Sequence, residues 1–175
     1  MGEYYMGLDL SVRGAAAVIL DADGQVVDHG VWGEDLPRGV PVKRKIERLI
    51  YIADKIISMG KVWSGYTSAG RGLNIGIEDY AYRMRGAQND LGEIHGAVKT
   101  QIWLALGGVP TMIVASSARK KVLGKGRFSK GRKGKQEIIE AVRERGFDTD
   151  NDNVADAYVV AECLRLRMKE NKDDG

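Results

Sequence analysis

Residues 6–20 read MGLDLSVRGAAAVIL, two apolar runs separated by a tight turn, the first ending on a single acid, Asp9. The pattern predicts two strands joined by that turn. A carboxylate at the end of a buried strand costs free energy unless a charge or a ligand compensates it. Asp9 is therefore the first residue that needs a role.

Working outward, the first strand begins at Tyr4, and the second spans 15–20. Asp21-Ala-Asp-Gly24 supplies turn residues before a third strand at 25–32, which implies an antiparallel meander. After a loop carrying Pro37 the period changes. Val42, Ile46, Leu49, Ile50, Ala53, Ile56 and Ile57 recur at helical spacing among charged residues, predicting an amphipathic helix that stops at Gly60. A glycine-rich loop at 64–72 leads to a fourth strand at 73–77, which also ends on an acid, Glu78. Residues 87–106 form a helical pattern with Leu91, Ile94, Val98, Ile102 and Leu106 inward, followed by a fifth strand at 110–115. Helices at about 136–145 and 153–168 and a frayed tail at 169–175 complete the chain. Helical crossovers favour parallel pairing of the later strands. The expectation is one α/β domain over 1–168, a mixed five-stranded sheet flanked by helices.

The 175 residues suit a single core, and 43% apolar with 29% charged residues is an ordinary globular balance. No apolar run approaches the ~18 residues of a membrane span, and no signal pattern opens the chain, so the expectation is a cytoplasmic protein with no membrane partner. A lone cysteine, Cys163, excludes an internal disulfide framework and reads as a small buried side chain. The net charge of +3 is unevenly spread: residues 118–135 carry nine basic residues and no acid, leaving −6 for the remainder. Such a segment on a mildly acidic body suits a polyanion.

The last predicted helix opens with Asp150-Asn-Asp-Asn-Val-Ala-Asp156, and on a helix Asp156 shares a face with Asp152 and Asn153. If that helix crosses the ends of the two acid-terminated strands, several oxygen ligands converge. Carboxylates without cysteine or a suitable histidine favour Mg²⁺ or Mn²⁺ over zinc, and a pair of such ions suits phosphodiester hydrolysis. Against this, a strand-end acid is commonly a turn residue, and 150–153 also reads as a helix cap with favourable dipole charges. Asp156 tips the balance, because it lies past any capping position and is followed by the apolar Ala157, Val159, Val160 and Ala161.

Gly7-Leu-Asp9, Ile77-Glu78-Asp-Tyr80, Leu91-Gly-Glu-Ile-His-Gly96 and Asn153-Val-Ala-Asp-Ala157, in this order over residues 5–166, resemble the RuvC-type Holliday junction resolvases of the ribonuclease H-like superfamily. The resemblance implies a ribonuclease H-like fold, and Asp9, Glu78 and Asp156 as catalytic ligands of two Mg²⁺ ions. The family's fourth ligand, three residues before the last aspartate, is usually Asp or His. Here that position is Asn153, with Asp152 beside it as a second candidate. The resemblance also implies a homodimer, since symmetric incision of a four-way junction needs two active sites, and products ending in 5′-phosphate and 3′-hydroxyl.

Lys120, Lys121, Lys125, Arg127, Lys130, Arg132, Lys133 and Lys135 are the candidate phosphate contacts, read as an adaptable glycine-containing loop. Arg83 and Arg85, just after Glu78, are candidates for the scissile strand, and Tyr80 and Tyr82 for base stacking or packing. A nucleotide cofactor is not expected: Gly126-Arg-Phe-Ser-Lys-Gly131 lacks the Lys-Ser/Thr pair of a P-loop. His95, between Gly92 and Gly96, reads as a close helix-packing site. The expected function is structure-selective cleavage of branched DNA. The alternatives are an RNA or RNA–DNA hybrid nuclease of the same fold and a non-catalytic nucleic-acid-binding module.

Overall fold

A computed structural model describes residues 3–11, 13–33, 41–65, 72–79 and 88–173. The elements in chain order are β1 (Tyr4–Leu10), β2 (Gly14–Leu20), β3 (Val26–Gly33), α1 (Val42–Gly65), β4 (Leu73–Asp79), α2 (Gln88–Leu106), β5 (Thr111–Val114), α3 (Ala115–Leu123), α4 (Gly131–Arg143) and α5 (Asp152–Asp173). The sheet order is β3-β2-β1-β4-β5, with β1, β2 and β3 antiparallel and β4 and β5 running parallel to β1. This is the expected mixed sheet.

Alternation along the strands divides the interior into two layers. Met6, Leu8, Ala17, Ile19, Ile75 and Ile77 face α1 and α2, where Ile52, Ile56, Ile94 and Ile102 cover them. Tyr5, Ala16, Val18 and Leu20 face α3, α4 and α5. β1 is central and nearly all apolar because it is covered on both sides. Cys163 is buried in the second layer as a free thiol.

Four expectations need correction. α1 does not stop at Gly60 but runs to Gly65, because Gly60 is a contact site: a Cβ there would stand 2.8 Å from Leu106 Cδ1. Its first turns also leave Val42, Ile46 and Ile50 exposed. The tail expected at 169–175 is helical through Asp173, and Lys172 Nζ donates to Glu3 at 2.6 Å.

The basic segment, thirdly, is mostly helix rather than loop. Lys120 and Lys121 lie on α3, which buries Ala118 and Val122 one turn apart and ends on Gly124 at φ 74°. Arg132, Lys133 and Lys135 lie on α4, which starts five residues before the predicted 136 because its first inward position is a glycine. A Cβ on Gly134 would meet the Ser129 carbonyl at 1.8 Å, so no apolar side chain marks that turn. Only 124–130 is a connection. Finally, His95 is buried as expected, but a Cβ on Gly92 or Gly96 meets nothing within 4 Å, so these glycines mark no close approach.

Candidate active site

The close approach lies at Gly7 instead. A Cβ there would stand 2.2 Å from the Ala157 carbonyl oxygen and 2.3 Å from the Ala161 nitrogen, so the backbone of α5 rests directly on β1. Asp156 directly precedes Ala157, and Asp9 lies two residues beyond Gly7 on the same face of β1. Glu78 arrives from the neighbouring strand. The parallel register of β1 and β4 runs as far as Leu8↔Ile77, and Asp9 and Glu78 are the next residues on each strand. Three carboxylates are thus carried to one end of the sheet by three elements.

Their electrostatics are those of like charges shielded from water. Burial pushes Asp9 up to about 7, with Asp156 adding to the shift and Arg119 opposing it. Burial likewise pushes Glu78 up to about 8, helped by Asp9 and Asp156. Asp156 is also raised by burial, in spite of its ion pair with Arg119. Arg119 is the countercharge of the cluster. Its Nη2 and Nε donate to Asp156 Oδ1 at 2.7 and 3.2 Å, with only 23% of its side chain and 17% of that of Asp156 exposed. Burial works against the guanidinium charge, but Asp156, Glu78 and Asp9 more than offset it and keep Arg119 protonated.

The head of α5 resolves into separate roles. Asn151 caps the helix, its Oδ1 accepting from the Asn153 and Val154 nitrogens at 3.0 and 3.2 Å. Asp152 and Asn153 are therefore not spent on capping. Asp152 accepts from Lys135 Nζ and acts on Asp9 electrostatically, and Asn153 lies half-buried in the first turn.

The donors here fit a hard divalent cation: they are all oxygens, and each carboxyl is raised above its ordinary value by burial. Among the described residues no three His, Cys, Asp or Glu side chains stand within reach of one ion as they are oriented. Both bonds from Arg119 to Asp156 fall on Oδ1.

The candidate phosphate contacts separate in space. Lys135 reaches the cluster through Asp152. Lys120, Lys125 and Arg127 line a pocket beside the first turn of α3. Lys130, Arg132 and Lys133 are exposed around the start of α4. Lys121 pairs with Glu170 at 2.6 Å, at the far end of α5. Arg83 and Arg85, with Tyr80 and Tyr82, lie outside the described residues.

Arg119 is the site residue that the sequence reading misses. Its signal is local: it sits beside Ala118 and one turn before Val122, two apolar residues inside a basic run, which marks it as the cation next to a buried face.

No protein-family model matches the chain, and no curated protein matches it in sequence. Solved structures do match in fold. Thermus thermophilus RuvC superposes with a TM-score of 0.66 at 18% identity, over 95% of this chain and 96% of that one. A second structure of T. thermophilus RuvC, in complex with a Holliday junction substrate, gives 0.69 over the same shares, again at 18% identity. The five-stranded mixed sheet with its flanking helices is thus the ribonuclease H-like fold of RuvC.

Proposed function

We propose that this chain is a divalent-metal-dependent endonuclease that cuts branched DNA, four-way junctions foremost. The observation that carries the reading is the convergence of Asp9, Glu78 and Asp156 from β1, β4 and α5, with Asp9 and Glu78 raised to about 7 and 8. A cluster of three buried carboxyls whose direct ion pair, among the described residues, is to Arg119 alone is costly to keep, and cation binding gives it a purpose. Its likeness in fold to RuvC, one structure of which holds a Holliday junction substrate, supports the choice of substrate.

Asp9, Glu78 and Asp156 would hold Mg²⁺ or Mn²⁺, with Asp152 or Asn153 completing the set. When bound, a pair of such ions supplies an activated water and charge stabilisation for the leaving 3′-oxygen. Of the two candidates on α5, Asp152 is favoured, because it is charged and already acts on Asp9. A cation held by Asp156 would compete with Arg119 for that carboxylate, and Arg119 would then be placed to contact the phosphodiester, where a guanidinium suits the charge of the transition state.

A homodimer completes the reading for four-way junctions. The support is an apolar groove of about 300 Å³ between α1 and α2, lined by Ile46, Leu49, Ile50, Ala53, Gly96 and Ala97, where Ile46 and Ile50 are half-exposed. Symmetric incision then follows from two equivalent sites.

The test is a substrate panel: labelled four-way junction, replication fork, flap, linear duplex and RNA–DNA hybrid, each with Mg²⁺. Paired nicks in the junction with linear duplex left intact are expected. Preferential cutting of the hybrid would favour the RNA-directed alternative, and tight binding with no cutting of any substrate would favour the binding module.

A further inference from the structure

On α3, the helix that also carries Arg119, is an open pocket of about 440 Å³ lined by Ser116, Ser117, Lys120, Lys125, Gly126 and Arg127. It has two hydroxyls, three cations and no acid in its lining. Lys125 is drawn aside, 3.5 Å from Glu137 and over the Phe128 ring. Lys120 and Arg127 have no acidic partner among the described residues. The pocket is built by a backbone approach: a Cβ on Gly126 would stand 2.9 Å from the Ser116 carbonyl oxygen and 3.3 Å from Lys120 Cβ. Only a glycine lets the 124–130 connection close against α3 and bring Lys125 and Arg127 to the same cavity as Lys120.

We infer that this pocket is a discrete subsite for one backbone phosphate of the DNA, separate from the phosphate that is cut, with Ser116, Ser117, Lys120 and Arg127 as its ligands. The chemistry is that of a phosphodiester: hydroxyl donors and cations bind its two non-bridging oxygens, which share one negative charge, and the absence of an acid from the lining avoids repulsion. The subsite rests on the reading of the chain as a DNA-binding nuclease and adds a register to it. Lys120 follows Arg119 on a single rigid helix, so a phosphate held at Lys120 fixes where along the strand Arg119 and the carboxylates act.

The experiment is a methylphosphonate walk. Single uncharged methylphosphonates replace successive phosphates of one junction strand, and affinity is read by anisotropy in EDTA for wild type, Ser116→Ala and Lys120→Ala. Cleavage of the unmodified junction in Mg²⁺ marks the cut phosphate. Both substituted positions are exposed, so the fold is not at risk, and circular dichroism checks it. Wild type is expected to lose about tenfold in affinity at one phosphate other than the cut one. Both variants are expected to lose that sensitivity while keeping every other. A wild-type profile with no such position, or variants with an unchanged profile, overturns the subsite. Binding without cleavage defeats the nuclease reading yet leaves the walk decisive, whereas failure to bind DNA defeats both. As a second variant, Gly126→Ala is expected to abolish the same sensitivity by pushing the connection off Ser116, and retention of it also counts against the subsite.

Discussion

Asp9, Glu78 and Asp156 are each ordinary as single letters, and the sequence makes them visible by where they end or begin an apolar element. Spacing and the family resemblance together pick out all three, but spacing is silent on Arg119, whose role depends on where α3 is seated. Replacing any one acid by its amide, as in Asp9→Asn, Glu78→Gln or Asp156→Asn, is expected to lower cleavage by at least about a thousandfold while junction binding stays within a few-fold. Retained activity in any of them would remove that residue from the site. The raised acids also make a pH prediction. Without metal, folded Asp9 and Glu78 keep their protons to about 7 and 8, whereas unfolded carboxyls lose theirs near about 4. Between those limits the folded state binds more protons, so stability declines as pH rises from about 4 to about 8 and then levels. Measured in EDTA, Tm should fall from pH 5 to pH 8, and the Asp9→Asn/Glu78→Gln double variant should flatten that fall. Mg²⁺ should raise Tm more at pH 8 than at pH 6, because it competes with protons for the same oxygens.

At the level of elements, strands are the most legible part of the chain, because β1, β2 and β4 are apolar runs with acids or turn residues at their ends. The long α2 pattern is equally plain, with Leu91, Ile94, Val98 and Ile102 all buried. What escapes a linear reading is signalled by contacts rather than periodicity. Gly60 and Gly134 look like breaks, yet each is a site where another group fits against the backbone. α3 is too short, with two buried side chains, to show a period. Gly7 is the tightest such approach near the site, and Gly7→Ala should force α5 away from β1, costing about 3 kcal/mol in urea unfolding and abolishing cleavage with all three acids intact. An unchanged unfolding midpoint would mean that α5 is not held by this approach. The cations around the start of α4 lend themselves to a salt test. Neutralising Lys130, Arg132 and Lys133 to Gln should reduce the slope of log affinity against log salt by about 0.9 for each phosphate that these side chains neutralise in the wild type. A slope equal to that of wild type would make them solvated surface.

For the whole molecule, the mixed sheet places the acids and the cations beside them at one end, where β1 and β4 stop and α5 begins, while the apolar surface of α1 and α2 lies on the other layer. Among the described residues no helix is long and apolar enough to cross a membrane. In the proposed dimer, two copies would associate through α1 and α2, on the layer opposite α5. Ile46→Glu with Ile50→Glu, both at half-exposed positions, should convert a dimer to a monomer on light scattering while leaving Tm nearly unchanged. A wild type that is already monomeric at micromolar concentration would remove the dimer from the proposal. The exposure of Ile46 and Ile50 on α1 is not legible in the sequence, because an amphipathic pattern does not say what covers its apolar side. The central claim is that Asp9, Glu78 and Asp156 form a metal-dependent cutting site for branched DNA. Its most direct measurement is cleavage of one labelled four-way junction by wild type and by Asp9→Asn, with Mg²⁺ and with EDTA. Cleavage by wild type with Mg²⁺ alone is the expected result; cleavage by wild type in EDTA, or undiminished cleavage by Asp9→Asn, would contradict it.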